Sequence, residues 1–375
     1  MALSCEKHKV ELYDRGGLTK LGDLTPVVKV KYERRRDDVS VATVHIGSFG
    51  SGCGEALGLI EAGRAEIVIF RGKERVWEGP ISRVSYRGAT IEVEAKDVMY
   101  YVSRTTIHGE YDNRHPRVTT VLDRLSRMMP AELARKEACD PPYNIVPHLQ
   151  FFYSNSPDVS DSRTAAHTKP YQMSLFDHID NYAARGGLDY VVIGRRILLF
   201  DVHTRIGQTP MVTGADFIGD PVITQYGAEL ATAVAMTDGK GHYGEYGGID
   251  PYYGEWEVLH QAYDENAQSS TNPQDPPSVA ELRSQAQRAQ KQGRTPPLVV
   301  RIPDNTRLNP NGVLQISDLV PGIWIPLTAS LPGRSVSQMQ KLDSMTVEET
   351  PEGGEIIQVT LSPAYTDTVV DGPAQ

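Results

Sequence analysis

At 375 residues, with 33 glycines and 25 prolines, the chain is long for one domain and suits a loop-rich protein with much β structure in two to four domains. Its 48 acids against 38 lysines and arginines leave a formal net charge of −10 with no basic block, which argues against a protein that grips nucleic acid by its phosphates. The odd set Cys5, Cys53 and Cys139, without close spacing, excludes a disulfide framework and points to a reducing compartment.

The start, Met1 to His8, lacks the apolar core of a signal peptide, and no run approaches membrane-spanning length, so a soluble chain made in a cytosol is expected. Residues 8–47 alternate as strands, with Val28, Val30 and Tyr32 on one face and Val39, Val41, Val44 and Ile46 following. Between them Glu33-Arg-Arg-Arg-Asp-Asp38 reads as a solvated charged turn. A short helix is expected over Glu55–Ala62, then strands at 65–71, 75–86 and 90–98, so the first 105 residues form a β barrel or sandwich. Val121, Leu122, Leu125, Met128 and Met129 share a helical face, and Pro130 is expected to end that helix. Residues 140–170 are rich in Pro, Asn and Ser and read as irregular. Ser174-Leu-Phe-Asp177 opens a second helix with the apolar stripe Leu175, Phe176, Ile179, Tyr182 and Ala183, closed by Gly186-Gly187. A hairpin over 189–202 turns at Gly194-Arg195, and 228–238 is a strand of small residues. Ser278-Val-Ala-Glu281 is a capping box for a helix with Val279, Leu282, Ala286 and Ala289 on one stripe, and a strand follows at Leu298–Ile302.

The most informative feature is a repeat. Ile81-x-x-Val84-x-Tyr86, a turn at Arg87-Gly88-Ala89 and Ile91-x-Val93-x-Ala95 match Leu342-x-x-Met345-x-Val347, a turn at Pro351–Gly354 and Ile357-x-Val359-x-Leu361. A gap of three and then two predicts a bulge in the first strand of each pair. Each pair is preceded by a strand-like run, Ala65–Phe70 or Ile323–Leu327. Two similar β modules in one chain point to duplication, and duplication without a catalytic motif points to architecture.

The candidate chemical motifs are weaker. Gly50-Ser-Gly-Cys-Gly54 lacks the Lys-Ser/Thr of a phosphate loop and the Gly-x-Ser-x-Gly of a nucleophile elbow, so a flexible connection is expected. His108, Asp112 and His115 match no zinc or calcium spacing. The acid pairs Glu352/Glu355 and Asp238/Glu245 read as exposed turn and surface acids rather than a glycosidase dyad. The unusual segment is Gly241–Gly254, where tyrosines sit on a glycine scaffold. Tyr243, Tyr246, Tyr252, Tyr253 and Trp256 are the candidate interface or partner-contact residues, because rigid aromatics give contact area at small entropy cost. The competing reading is a long hairpin loop packed on its own protein. No catalytic residue, metal ligand or cofactor site is assigned.

Trp77-Glu-Gly-Pro-Ile-Ser-Arg-Val, the Gly–Tyr loop with Tyr252-Tyr-Gly-Glu-Trp-Glu257, the capped helix and Asp318-Leu-Val-Pro-Gly-Ile-Trp-Ile occur in an order that resembles the minor tail proteins of actinobacterial siphophages, the tail-hub (baseplate-hub-like) family. Ile323-Trp-Ile stands where such a module would carry Gly-Asp-x-Val, and 140–170 has no obvious counterpart. The resemblance implies an α+β, predominantly β fold with two related tail-tube-like β barrels and a smaller mixed α/β region between them. It divides the chain into a first hub barrel (1–107), a mixed α/β domain with helices near 119–129 and 174–185 (108–205), a β region with the Gly–Tyr loop (206–276) and a capped helix with the second barrel (277–375). It also implies a homotrimeric ring of six barrels at the distal end of a tail tube. The partners would be the distal tail protein, the C-terminal end of the tape-measure protein and other tail-tip or fibre proteins. DNA would cross the lumen without specific binding, no membrane insertion is expected, and the site would be a virion tail tip. The competing classes are a tail-tip enzyme that hydrolyses cell-wall glycan or peptidoglycan, and a host-glycan-binding adaptor.

Overall fold

Strand-forming runs of β-branched residues separated by turn glycines give twenty-two strands in the computed structural model, which describes residues 5–47, 58–111, 121–137, 150–153, 170–184, 188–201, 204–219, 222–225, 230–239, 241–251, 253–261, 298–331, 334–364 and 369–371, with helical positions 279, 282, 283, 286, 287 and 290. The first unit holds β1 (His8–Asp14), β2 (Lys20–Asp23), β3 (Val27–Arg35), β4 (Val41–Gly47), β5 (Ala65–Arg71), β6 (Glu74–Arg87) and β7 (Thr90–Lys96). The mixed unit follows with α1 (Met99–Ser103), α2 (Val121–Glu137), β8 (Gln150–Tyr153), α3 (Leu175–Ala184), β9 (Leu188–Ile193) and β10 (Arg196–Asp201). Next come β11 (Val212–Thr213), β12 (Phe217–Ile218), β13 (Val222–Gln225), β14 (Ala233–Thr237), β15 (Tyr243–Gly247) and β16 (Glu257–Gln261). The chain returns through β17 (Leu298–Arg301), β18 (Thr306–Leu308), β19 (Trp324–Leu331), β20 (Arg334–Thr350), β21 (Gly354–Pro363) and β22 (Val369–Asp371). The fold is predominantly β, as expected.

The repeat is real in topology. β5–β6–β7 form consecutive antiparallel neighbours, and so do β19–β20–β21. Both bulges fall where the spacing predicts: the register slips between Ile81 and Arg83 in one module and between Leu342 and Ser344 in the other. Beyond each slip the pairs correspond, Val84 with Val93 and Met345 with Val359. The bulge lets a 14-residue and a 17-residue strand bend and pair with one neighbour at the start and another at the end.

The modules share one sheet. β3 pairs with β20 from Val30↔Glu349 to Arg35↔Ser344, and among the described residues the ladder runs open from β2 to β12 without closing into a barrel. One apolar core fills this platform, from Val10, Ile67 and Val93 to Leu327, Leu342 and Met345. Burial of these side chains, at about 25 cal/mol per Å² of apolar surface, is the main force that joins the two modules.

Two units leave the platform. The mixed unit, inserted between β7 and β11, has its own core of Leu122, Leu125, Met129, Ile179, Tyr190 and Ile197. Its sheet order is β8–β10–β9, with β8 parallel to β10; β8 lies in the stretch expected to be irregular. Helix α2 runs through Pro130 to Glu137, contrary to the expected stop. Met128 and Met129 before the proline and Leu133 after it all lie in the core; burying all three outweighs the roughly 3 kcal/mol that an interior proline costs. Helix α3 starts as expected: Ser174 Oγ accepts from Asp177 N at 3.0 Å, and Asp177 Oδ2 accepts from Ser174 N at 3.2 Å. The third unit leaves through the antiparallel ribbon β13–β17 and carries the sheet β15–β14–β16. The Gly50–Gly54 segment, the capping box at Ser278–Glu281 and most of the expected helix at 55–62 lie outside the described residues.

Candidate functional site

The described part of the Gly–Tyr segment is a strand with turns. β14 pairs antiparallel with β15, Val234 opposite Tyr246 and Met236 opposite Gly244, and parallel with β16, Val234 beside Val258. One face is closed by the helical stripe: Leu282 and Ala286 pack with Ala231, Val234 and Met236, and Tyr246 and Val258 rest against them. Val279, expected on that stripe, is exposed. Gly244 is where the helix touches the sheet, since a Cβ there would lie 2.3 Å from Arg283 N and 2.6 Å from the Leu282 carbonyl carbon.

Among the described residues the opposite face is open. Its central row, Ala233, Ala235 and Thr237, is half-buried, flanked by Tyr243 and Glu245 on β15 and by Glu257 and Leu259 on β16. Tyr243 is 60 % exposed and Leu259 70 %; Trp256, just before β16 and in phase with Val258 rather than Leu259, is 51 % exposed. The Trp256 indole donates to Tyr253 O at 2.9 Å, and Tyr253 N donates to Asp250 Oδ1 at 3.0 Å, so the turn presents its aromatics in a fixed arrangement. Of the five candidate residues, then, Tyr243 and Trp256 are presented outward and Tyr253 is half-buried. Tyr246 serves the module's own core, its hydroxyl receiving Gln287 Nε2 at 3.3 Å. Tyr252 lies outside the described residues. Leu259 was missed. Its only sequence signal is that it falls out of phase with the buried Val258 in an alternating strand.

The charged motifs have been placed elsewhere than expected. The Glu33–Asp38 turn is solvated only at Arg35 and Asp38: Arg34 is 8 % exposed, donating to Val76 O at 2.7 Å and Leu319 O at 3.3 Å, and burial pulls its pKa down. Arg36 reaches Asp189 of the mixed unit at 2.8 Å and Asp343 of the second module at 2.5 Å. Glu355 is likewise no surface acid. Its side chain is 5 % exposed and forked onto Arg71 at 2.7 and 2.9 Å, with Lys7 at 3.1 Å. Burial opposes its ionisation, but Arg71 and Lys7 outweigh that and hold it below the usual carboxylate range. Glu352 is exposed as expected. Asp238 sits 2.7 Å from His242 Nδ1 within one turn, while Glu245 points from the open sheet face. His108 approaches Thr106 O at 2.8 Å and stacks edgewise on Tyr171; Asp112 and His115 lie outside the described residues. Among the described residues no three His, Cys, Asp or Glu side chains gather as a metal site.

No protein-family model matches the chain, and no curated protein matches it. Solved structures do. The 43 kDa tail protein of prophage MuSo2 from Shewanella oneidensis is similar over 95% of this chain and 98% of its own, with TM-score 0.60 at 9% identity. Prophage tail protein gp18 from Listeria monocytogenes EGD-e is similar over 94% of each chain, with TM-score 0.57 at 8% identity. A tail protein from Neisseria meningitidis MC58 is similar over 95% of this chain and 96% of its own, with TM-score 0.55 at 12% identity. The chain has the fold of these tail proteins across nearly its whole length.

Proposed function

We propose that the chain is a structural tail-hub protein of a siphophage, of the actinobacterial minor-tail type, which forms a trimeric ring at the distal end of the tail tube and acts without turnover. The observation that carries this reading is the whole-length fold likeness to phage tail proteins. The duplicated β5–β6–β7 and β19–β20–β21 modules add a reason for a ring: two equivalent modules per chain and three chains give six positions around an axis, matching a sixfold tube to a threefold tip. In this reading each module supplies one barrel of that ring.

Its neighbours would be the distal tail protein, the end of the tape-measure protein and tip or fibre proteins. The open face with Tyr243 and Leu259 suits such a contact, being exposed side chains on a sheet already packed from behind, and Trp256 adds an exposed aromatic just before β16. Duplex DNA carries about one negative charge per 1.7 Å, so a basic lumen would hold it. The inner wall is therefore expected to be neutral to acidic, consistent with the net charge of −10, with the pairing of Arg35 and Arg36 to acids and with the burial of Arg34. The test is native mass measurement of the purified protein alone and with its distal tail protein. A trimer in either supports the reading. A monomer in both, or degradation of host cell wall that is lost on changing a single acid or histidine, overturns it.

A further inference from the structure

The mixed unit and the platform have separate apolar cores, with Val39 of the platform packed against the mixed one. The β9–β10 hairpin adds a set of polar and charged contacts between them. At its base Asp189 lies between Arg36 Nη1, at 2.8 Å, and Lys341 Nζ of β20, with which it forms an ion pair. Asp37 N donates to Tyr190 O at 2.9 Å, and Asp37 Oδ1 accepts from Tyr190 N at 2.7 Å. Asp343, the bulged residue of β20, takes Arg36 on its other side and receives Ser362 Oγ at 2.9 Å. At the tip the tight turn brings Arg195 to Glu66 at 2.7 Å, with Glu78 at 3.7 Å; Glu66 also receives Tyr101 OH at 2.5 Å and Gly16 N at 2.9 Å. Phe200 adds an apolar contact, since a Cβ on Gly322 would lie 2.7 Å from its ring. Polar interfaces within a chain are the ones across which domains move.

We propose that the mixed unit is a releasable domain, latched onto the β platform at the base and the tip of the β9–β10 hairpin, and that loss of a proton from the base latch frees it.

The charges at the base explain the direction. Two cations, Arg36 and Lys341, face three carboxyls, Asp37, Asp189 and Asp343, so a proton on one carboxyl leaves the cluster neutral and its loss leaves an unbalanced buried charge. Around the cluster, Asp38 pairs with Arg35 at 2.6 Å, and Asp180 of α3 receives Tyr190 OH at 3.2 Å. Burial and then the neighbouring Asp189 push the Asp37 carboxyl up to about 7, against the pull of Arg36. A group raised in the closed form stabilises closure at low pH, and that contribution is lost as pH rises through its folded value.

Hydrogen exchange on the full chain at about pH 6 and about pH 8, corrected for intrinsic rates, tests this; a carboxyl titrating near 7 only when closed makes the opening constant rise about tenfold over that interval. The expected result is faster exchange in β9, β10 and α3 at the higher pH with β19–β21 unchanged. D37N is expected to keep the slow rate at both pH values, because Asn retains the acceptor and suits the positive φ of 57° at this position. Three results overturn the proposal: equal protection of the hairpin at both pH values in the unaltered protein, loosening of platform and mixed unit together, or loosening centred on β4, β7 and α1. The last would trace to Asp97, a buried carboxyl also pushed up to about 7, which receives Ser40 N and Met99 N.

Discussion

Glu349 is the side chain whose removal is expected to damage the platform most for its size. It lies on β20 of the second module with its carboxylate almost fully buried, and it receives four donors from the start of the first. Oε1 accepts from Glu6 N at 2.9 Å and Lys7 N at 3.0 Å, and Oε2 from His8 N at 3.0 Å and His8 Nδ1 at 2.6 Å. Glu349→Ala strands three backbone N–H groups and a fully buried imidazole. At roughly 1–3 kcal/mol for each buried group left unpaired, and with some donors rescued by water, a loss of about 3–5 kcal/mol is expected. Burial alone would raise this carboxyl, but the donors from Lys7, His8 and Glu6 more than offset it and hold it below the usual carboxylate range. A depressed carboxyl contributes stability above its unfolded pKa, and that contribution disappears as pH falls through the folded value. The variant should therefore lose most at neutral pH and differ least from the parent in acid. Urea unfolding at about pH 7 and about pH 3 measures both terms, and exchange at the Glu6–His8 amides locates the damage. A loss under about 0.5 kcal/mol at neutral pH, or a loss that does not shrink in acid, would refute the reasoning.

Gly244→Val should detach the helical stripe from β14–β16, because its Cβ meets backbone 2.3 Å away; exchange in that sheet is expected to rise while the platform's unfolding midpoint holds. Tyr243→Ala with Leu259→Ala is expected to change stability by less than about 0.5 kcal/mol, since both are exposed, yet to reduce attachment of tip partners in a particle-assembly assay; normal particles would count against the contact site. Tyr246→Ala, by contrast, should cost about 1–3 kcal/mol in thermal unfolding, because it packs on Val234 and Met236 of its own module. Arg195→Met should cost about 3–5 kcal/mol by leaving Glu66 and Glu78 buried without their shared cation. Glu78 is already raised by burial against the pull of Arg75 and Arg195, so the loss should be larger at about pH 8 than at about pH 5; equal losses would sink the argument.

What the amino-acid sequence determined by itself was local. The spacing Ile81-x-x-Val84 and Leu342-x-x-Met345 encodes a bulge because an extra residue must shift the alternation of buried side chains, and both slips fall there. Ser174 and Asp177 encode a helix start through bonds three residues apart, and Gly194-Arg195 encodes a turn because glycine takes a φ of 58° without cost. The tertiary structure decided everything that needs a distant partner. Nothing near Glu33–Asp38 shows that Asp189, Asp343 and Leu319 will close over it, nor that Glu355 will meet Arg71. Phe151 and Tyr153 read as part of an irregular stretch because the parallel strand that orders them lies some 45 residues on. Tyr243 and Tyr246, three residues apart in one glycine-rich run, look alike as letters. The helix that covers one face of their sheet makes one a core residue and leaves the other in solvent, because strand side chains alternate in direction and only packing says which side is inside.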